Sequence, residues 1–165
     1  MYTKKVLKYF KKPHNYGKIK KPDGIGRVGN IVCGDVMQLY IKIGRDKNNA
    51  ETLKDIKFET FGCVAAIATS SAITDLAKGK TLKEAMAISK EEIVKTLGGL
   101  PPIKLHCSVL AADALSEAIF DYLSKKKRKI PQGLAKQHKR VQKEKEIVEE
   151  RYREWISAEE KMLKS

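Results

Sequence analysis

The hydrophobic rhythm of this chain switches from a period of two to a period of about 3.6 at Gly62-Cys63, and that switch limits how its elements can be assembled. Upstream, apolar residues alternate through Val36-Met-Gln-Leu-Tyr-Ile-Lys-Ile43, and again where Ile56, Phe58 and Thr60 are separated by Lys57 and Glu59. Alternation with β-branched residues predicts strands over about 36–43 and 55–61. The short charged turn that opens at Gly44 predicts an antiparallel pair. Downstream, residues 64–77 are rich in alanine, carry Val64, Ile67, Ile73 and Leu76, and end near Gly79, as a helix does. Thr81-Leu-Lys-Glu84 is a capping box opening a second helix, and Ser89 with Glu92 opens a third. Gly98-Gly99-Leu100-Pro101-Pro102 then breaks the chain. A long amphipathic helix follows, with Leu110, Ala114, Leu115, Ala118, Ile119, Tyr122 and Leu123 on one face. Before the strands, Val6, Leu7 and Phe10 mark a short helix over 3–11, stopped by Pro13. The expected fold class is α+β: a small antiparallel sheet with helices packed on one side.

Between the first helix and the first strand, Gly17, Gly24, Gly26, Gly29 and Gly34 mark turns or close backbone approach. Gly24 to Gly29 spells G-x-G-x-x-G, but no apolar strand precedes it and no helix follows, so a dinucleotide site is not expected. At the far end, Gly133 precedes a final helix whose apolar residues Leu134, Val141, Val148, Trp155 and Met162 recur every seven positions. His138, Lys145, Tyr152 and Glu159 hold the companion seam positions, which supports a coiled coil only weakly. The expected organisation is a domain over 1–124 and a basic helical C-terminal extension over 125–165, laying one apolar stripe on the body or on a partner.

The net charge is +14, and half of it sits in the last quarter of the chain, densest at Lys125-Lys126-Lys127-Arg128-Lys129. Such a run reads as a solvated helix end and linker, so nucleic acid is not the expected partner. The remaining basic charge suits an anionic ligand or an acidic partner surface. The longest apolar stretch, around Val64 to Ala68, is too short to span a bilayer. MYTKKVLKYF has neither the apolar core nor the cleavage site of a secretory signal, and a cytoplasmic location is expected.

Cys33, Cys63 and Cys107 are odd in number and far apart, which argues for thiol or metal chemistry over a disulfide framework. All three fall at boundaries between elements, where sites are built. Cys33 precedes Gly34-Asp35 at the mouth of a strand; Cys63 lies where the second strand gives way to a helix; Cys107 follows His106 after the proline break. The positive end of a helix favours the thiolate at Cys63 and Cys107. Durable clusters commonly take four cysteine thiolates. With three, the fourth position falls to Asp35 or His106, and a carboxylate matches thiolate-bound iron poorly. A labile cluster is a defect in an electron carrier and a requirement in a scaffold. Two rivals are weaker. Sequence neighbours such as His106 and Cys107 rarely make a base and nucleophile, since side chains diverge on a helix or strand, so an enzyme is not expected. A structural or interaction domain built on zinc usually shows close pairs such as C-x₂-C, absent here. His14 and His138 read as surface residues.

Cys33-Gly34-Asp35, Gly62-Cys63 and Leu100-Pro101-Pro102-Ile103-Lys104-Leu105-His106-Cys107-Ser108 together resemble the IscU/NifU family of iron–sulfur cluster assembly scaffolds, in a NifU-like branch. The likeness runs from about Val6 to Leu123. It implies a scaffold holding a [2Fe–2S] or [4Fe–4S] cluster on Cys33, Cys63 and Cys107, with Asp35 and His106 as exchangeable fourth ligands and zinc as an alternative occupant. It implies Cys107 as acceptor of persulfide sulfur from a cysteine desulfurase, and Lys104 beside the site. Leu100, Pro101, Pro102 and Ile103, ending on Lys104, resemble the peptide gripped by an Hsp70-type chaperone. Ferredoxin and apo iron–sulfur proteins complete the partners implied; a homo-oligomer is left open, resting on the stripe of the final helix rather than on the resemblance. Two departures stand out: Val64-Ala65-Ala66 replaces the usual Gly-Ser-Ala after the second cysteine, and Lys12 replaces the usual asparagine before Pro13. The extension lacks cysteines, so it carries none of the further cluster-binding modules of full-length NifU.

Overall fold

The computed structural model describes residues 1–29 and 35–164, apart from the side chains of Tyr152 and Ile156. The elements run α1 (Lys4–Lys11), β1 (Gly24–Gly29), β2 (Val36–Arg45), β3 (Glu51–Phe61), α2 (Val64–Ala77), α3 (Leu82–Met86), α4 (Lys90–Thr96), α5 (His106–Lys125) and α6 (Gln132–Lys164), with a 3₁₀ turn at Pro102–Lys104 before α5. The three strands form one antiparallel sheet in the order β1-β2-β3. Its register sets Gly24, Gly26 and Val28 opposite Ile41, Leu39 and Met37, and these opposite Ile56, Phe58 and Thr60. Directly opposed residues share a face, and on this face Met37, Leu39, Ile41, Ile56 and Phe58 are fully buried under α2 and α5. On the other face Arg27 donates to Gln38, Gln38 to Tyr40 and Tyr40 to Glu59, at 3.0, 2.7 and 2.7 Å. The expected α+β arrangement, helices on one side of a small sheet, is the one observed.

The glycine-rich segment departs from expectation, because it contains the edge strand β1. Glycine hides the strand by removing the side chains that would alternate, and α5 is the reason for it. A Cβ on Gly26 would stand 2.7 Å from the Ala118 nitrogen and overlap the Ala114 carbonyl oxygen; one on Gly24 would overlap the Ala118 carbonyl. The helix backbone therefore rests directly on the strand backbone. Since Ala118 lies by Gly24 and Ala114 by Gly26, α5 runs antiparallel to β1. Seven residues back from Ala114 is about 10 Å of helix, and three residues on from Gly26 is about 10 Å of strand. The start of α5 thus arrives at the sheet edge where Gly29 pairs with Val36 and Val36 with Phe61.

Both β2 and β3 exceed their expected lengths, β3 by starting at Glu51 rather than Asp55. A register shift between Lys42 and Ile43 breaks the alternation there and conceals the first turns of pairing. Asp46 closes the hairpin by accepting from the backbone nitrogens of Asn48 and Ala50. The capping residues act as expected: Thr81 accepts from the Glu84 nitrogen and Ser89 from that of Glu92. Thr3 caps α1 through the Val6 nitrogen and also donates to the Leu97 carbonyl at 2.6 Å, tying the N-terminus to the end of α4. After α5 the basic run is exposed, with Arg128 turned back onto Glu51, which also accepts from Tyr122 at 2.6 Å.

The first third of α6 packs on the outer face of α5, burying Leu134 and Val141. Asp113 of α5 accepts from Arg140 at 2.6 Å and Gln137 at 2.9 Å. Glu117 faces His138 at 2.9 Å and accepts from Gln142. His138 is partly buried, its side chain 26% exposed: its ring lies 3.7 Å from that of Phe120 in a parallel stack, its edge on Glu117. Isolated sequence position hides this, because the partners come from α5. His14 is half exposed, as expected, and bonded to Asp75 at 2.6 Å. Beyond Gln142 the stripe emerges, and Trp155 and Met162 are 60% and 78% exposed.

Gly26→Ala is expected to lower unfolding free energy by about 1–3 kcal/mol or more through overpacking, read from the denaturant midpoint. Gly133→Ala, where no atom lies within 4 Å of the added Cβ, is expected to cost nothing.

Candidate metal centre

The edge defined by the ends of β1 and β3 and the start of β2 is also where α2 and α5 begin. Asp35 lies immediately before β2 and is 3% exposed. Cys63 is the residue capping α2, in extended conformation, and its side chain makes no capping hydrogen bond. Cys107 is the second residue of α5 and fully buried. The two sulfurs are 3.9 Å apart, and each lies 3.7 Å from Asp35 Oδ2. His106 brings Nε2 to 3.5 Å from the Cys107 sulfur, so these two neighbours converge at the start of α5 where divergence was expected. One ligand atom each from Asp35, His106 and Cys107 lies within 4.8 Å of the others. Four residues from three chain segments thus present two sulfurs, a carboxylate oxygen and an imidazole nitrogen to one small volume. Cys33 lies outside the described residues.

Gly62 permits this convergence. A Cβ there would stand 2.7 Å from the Ala66 Cβ and 3.1 Å from both Cγ and Oδ1 of Asp35. The carboxyl group is pressed against a bare backbone, which holds it over the first turn of α2. Sulfur, carboxylate and imidazole at such spacing form a donor set for a thiophilic transition metal, with the carboxylate as its hardest member. The N-termini of α2 and α5 add positive potential at both sulfurs.

Lys104 ends the 3₁₀ turn at the rim of this volume. The charge of Cys63 is the largest influence holding its ammonium above the ordinary lysine range; burial opposes it next, and the charges of Tyr2 and Cys107 add to the rise. Tyr2 joins the site unforeseen. Burial pushes its hydroxyl up first, and the charges of Cys63, Cys107 and Asp35 push it further, with Lys104 pulling back. A single tyrosine near the N-terminus carries no spacing signal; it packs against the core, next to the tie between Thr3 and Leu97. In the neighbouring turn Lys104 and Leu105 donate to the carbonyls of Pro101 and Pro102, and Ile103 is left 78% exposed.

Gly62→Ala is expected to destabilise the protein by about 1–3 kcal/mol. Made in an Asp35→Ala background it should cost measurably less, because the crowded carboxyl group is gone; denaturant unfolding of the four proteins reads the coupling.

Three comparisons bear on this geometry. The family model described as NifU-like N terminal domain matches residues 1–129. The chain is 52% identical over 146 residues to the iron-sulfur cluster assembly scaffold protein IscU 1 of Archaeoglobus fulgidus, covering 87% of this chain and 92% of that one. It is 48% identical over 131 residues to the iron-sulfur cluster assembly scaffold protein IscU of Rickettsia prowazekii, covering 78% and 96%. The crystal structure of a nitrogen-fixing NifU-like protein (N-terminal) from Brucella abortus superposes with a TM-score of 0.57 over 74% of this chain and 94% of that one, at 21% identity, a likeness of fold.

Proposed function

The chain belongs to the NifU-like N-terminal domain family, and on that premise we propose that it is a scaffold, not an enzyme, on which iron–sulfur clusters are built and from which they pass to apo-proteins. The observation that carries this reading is the meeting of the Cys63 and Cys107 sulfurs over the Asp35 carboxylate, with His106 beside them. Cys33, two positions before Asp35 in sequence, supplies the third thiolate. The cluster is cargo, most simply a [2Fe–2S] unit, and its holders are Cys33, Cys63 and Cys107 with Asp35 or His106 in the exchangeable position. Zinc suits the same mixed sulfur, nitrogen and oxygen set as an alternative occupant.

Each side chain has a task on this reading. Cys107 accepts persulfide sulfur from a cysteine desulfurase: its thiolate attacks the outer sulfur, the desulfurase cysteine leaves as thiolate, and Cys107 carries the sulfur until iron and electrons, from a ferredoxin-type donor, convert it to sulfide. Lys104 balances the negative charge accumulating as sulfur and iron arrive. Asp35 is a hard ligand among soft ones, so its bond to iron breaks readily and opens a path for transfer. The exposed Ile103, with Leu100, Pro101 and Pro102, offers an Hsp70-type chaperone a peptide continuous with His106 and Cys107, so pulling on it loosens two holders at once. Residues 1–124 carry this scaffold and 125–165 form the appended helical extension. No described helix is long and apolar enough to cross a membrane; a reducing, cytoplasmic setting keeps the thiols competent.

Anaerobic incubation with ferrous iron and sulfide is expected to give a visible chromophore with iron and sulfide in equal amounts, abolished by alanine at Cys33, Cys63 or Cys107. A colourless protein holding one zinc that resists exchange would favour the structural zinc domain instead. Asp35→Ala is expected to slow cluster transfer to an apo-acceptor about tenfold or more, roughly 1.4 kcal/mol in the barrier; unchanged transfer would remove Asp35 from the release step.

A further inference from the structure

The scaffold reading leaves the outer two thirds of α6 unused. Among the described residues, the hydrogen bonds of α6 to α5 run out to Gln142, which donates to Glu117. From there to Lys164 the helix continues for 22 residues, about 33 Å, with Val148, Trp155 and Met162 along one side. This is a large apolar commitment for a solvated appendage: Trp155 is the only tryptophan in the chain, and Ile147, Trp155, Met162 and Leu163 are 42%, 60%, 78% and 85% exposed. We propose that this stripe pairs with the same stripe of a second copy of the chain, the two helices antiparallel and centred on Trp155.

Charge selects the occupant and the orientation. Residues 143–164 carry six basic and seven acidic side chains, a net of −1, whereas the rest of the chain carries +15. Two copies repel through their basic bodies, and this long exposed segment adds no such repulsion. At 100° per residue Arg151 and Glu159 flank Trp155 on the same face as Val148 and Met162. In an antiparallel pair centred on residue 155, Arg151 of each copy stands opposite Glu159 of the other and Val148 opposite Met162. In a parallel pair Arg151 would face Arg151 and Glu159 would face Glu159, and both basic bodies would lie side by side. Length agrees as well. In the antiparallel register Lys164 of one copy lies opposite Glu146 of the other, four residues short of where α6 docks on its own body at Gln142. The exposed helix is thus used nearly in full, with no clash against α5. The two thiol sites then sit at opposite ends of the assembly.

Sedimentation of the full-length protein over a concentration series is expected to show a monomer–dimer equilibrium, with Trp155 emission moving to shorter wavelength as dimer forms. Arg151→Glu and Glu159→Arg should each weaken association about tenfold or more. Mixed one to one they should recover it, because the heterodimer restores both opposite-charge pairs. Failure of the mixture to associate would overturn the antiparallel register. A dimer that survives Trp155→Glu would place the contact elsewhere and overturn the proposal. So would a monomeric mass throughout, with the emission shift appearing only on adding anionic phospholipid vesicles or a cysteine desulfurase.

Discussion

The contact on which the rest depends is backbone against backbone: α5 lying directly on β1 through Gly24 and Gly26. Any side chain at either glycine would lift the helix from the strand. With the helix in place, its rise and that of the strand bring Cys107 level with the edge where β2 begins and β3 ends. Asp35 and Cys63 flank those two strand ends, so three segments distant in sequence meet without any long connecting loop. Gly62 repeats the principle at smaller scale, giving Asp35 a surface without a Cβ to press against.

The resulting site combines groups whose preferences conflict. Two sulfurs invite a soft metal; a buried carboxylate 3.7 Å from each supplies hard character and negative charge. Lys104 and the helix N-termini supply positive charge beside the two sulfurs. A fully sulfur-lined pocket would hold a cluster more firmly and release it less readily. Asp35 stands at the end of the sheet, and His106 and Cys107 open α5 just after the turn that exposes Ile103.

Much of this was legible in the sequence, and the gaps have physical causes. The switch of period at Gly62 gave the order of strands and helices, and the capping residues Thr81 and Ser89 gave helix starts, because both signals are local. The edge strand β1 was not legible, since the glycines required by α5 erase the alternation that identifies a strand. The start of β3 was concealed by the register shift at Lys42, which puts Leu53 out of phase with Ile56. Asp35, Cys63, His106 and Cys107 were legible as candidates from their place at element boundaries, and their convergence became visible only in three dimensions. Tyr2 and His138 carry no pattern of their own; each is recruited by residues nearly a hundred positions away or on another helix.

The central claim is that three thiolates and one harder ligand surround a single metal site. Zinc X-ray absorption on the zinc-loaded protein tests it most directly, because the sulfur count is read without assuming a cluster. A mixed shell is predicted, with sulfur at about 2.3 Å and a light atom at about 2.0–2.2 Å, and Cys33→Ser should remove one sulfur from it. A shell of oxygen and nitrogen alone, or a sulfur count untouched by the Cys33 replacement, would contradict the account.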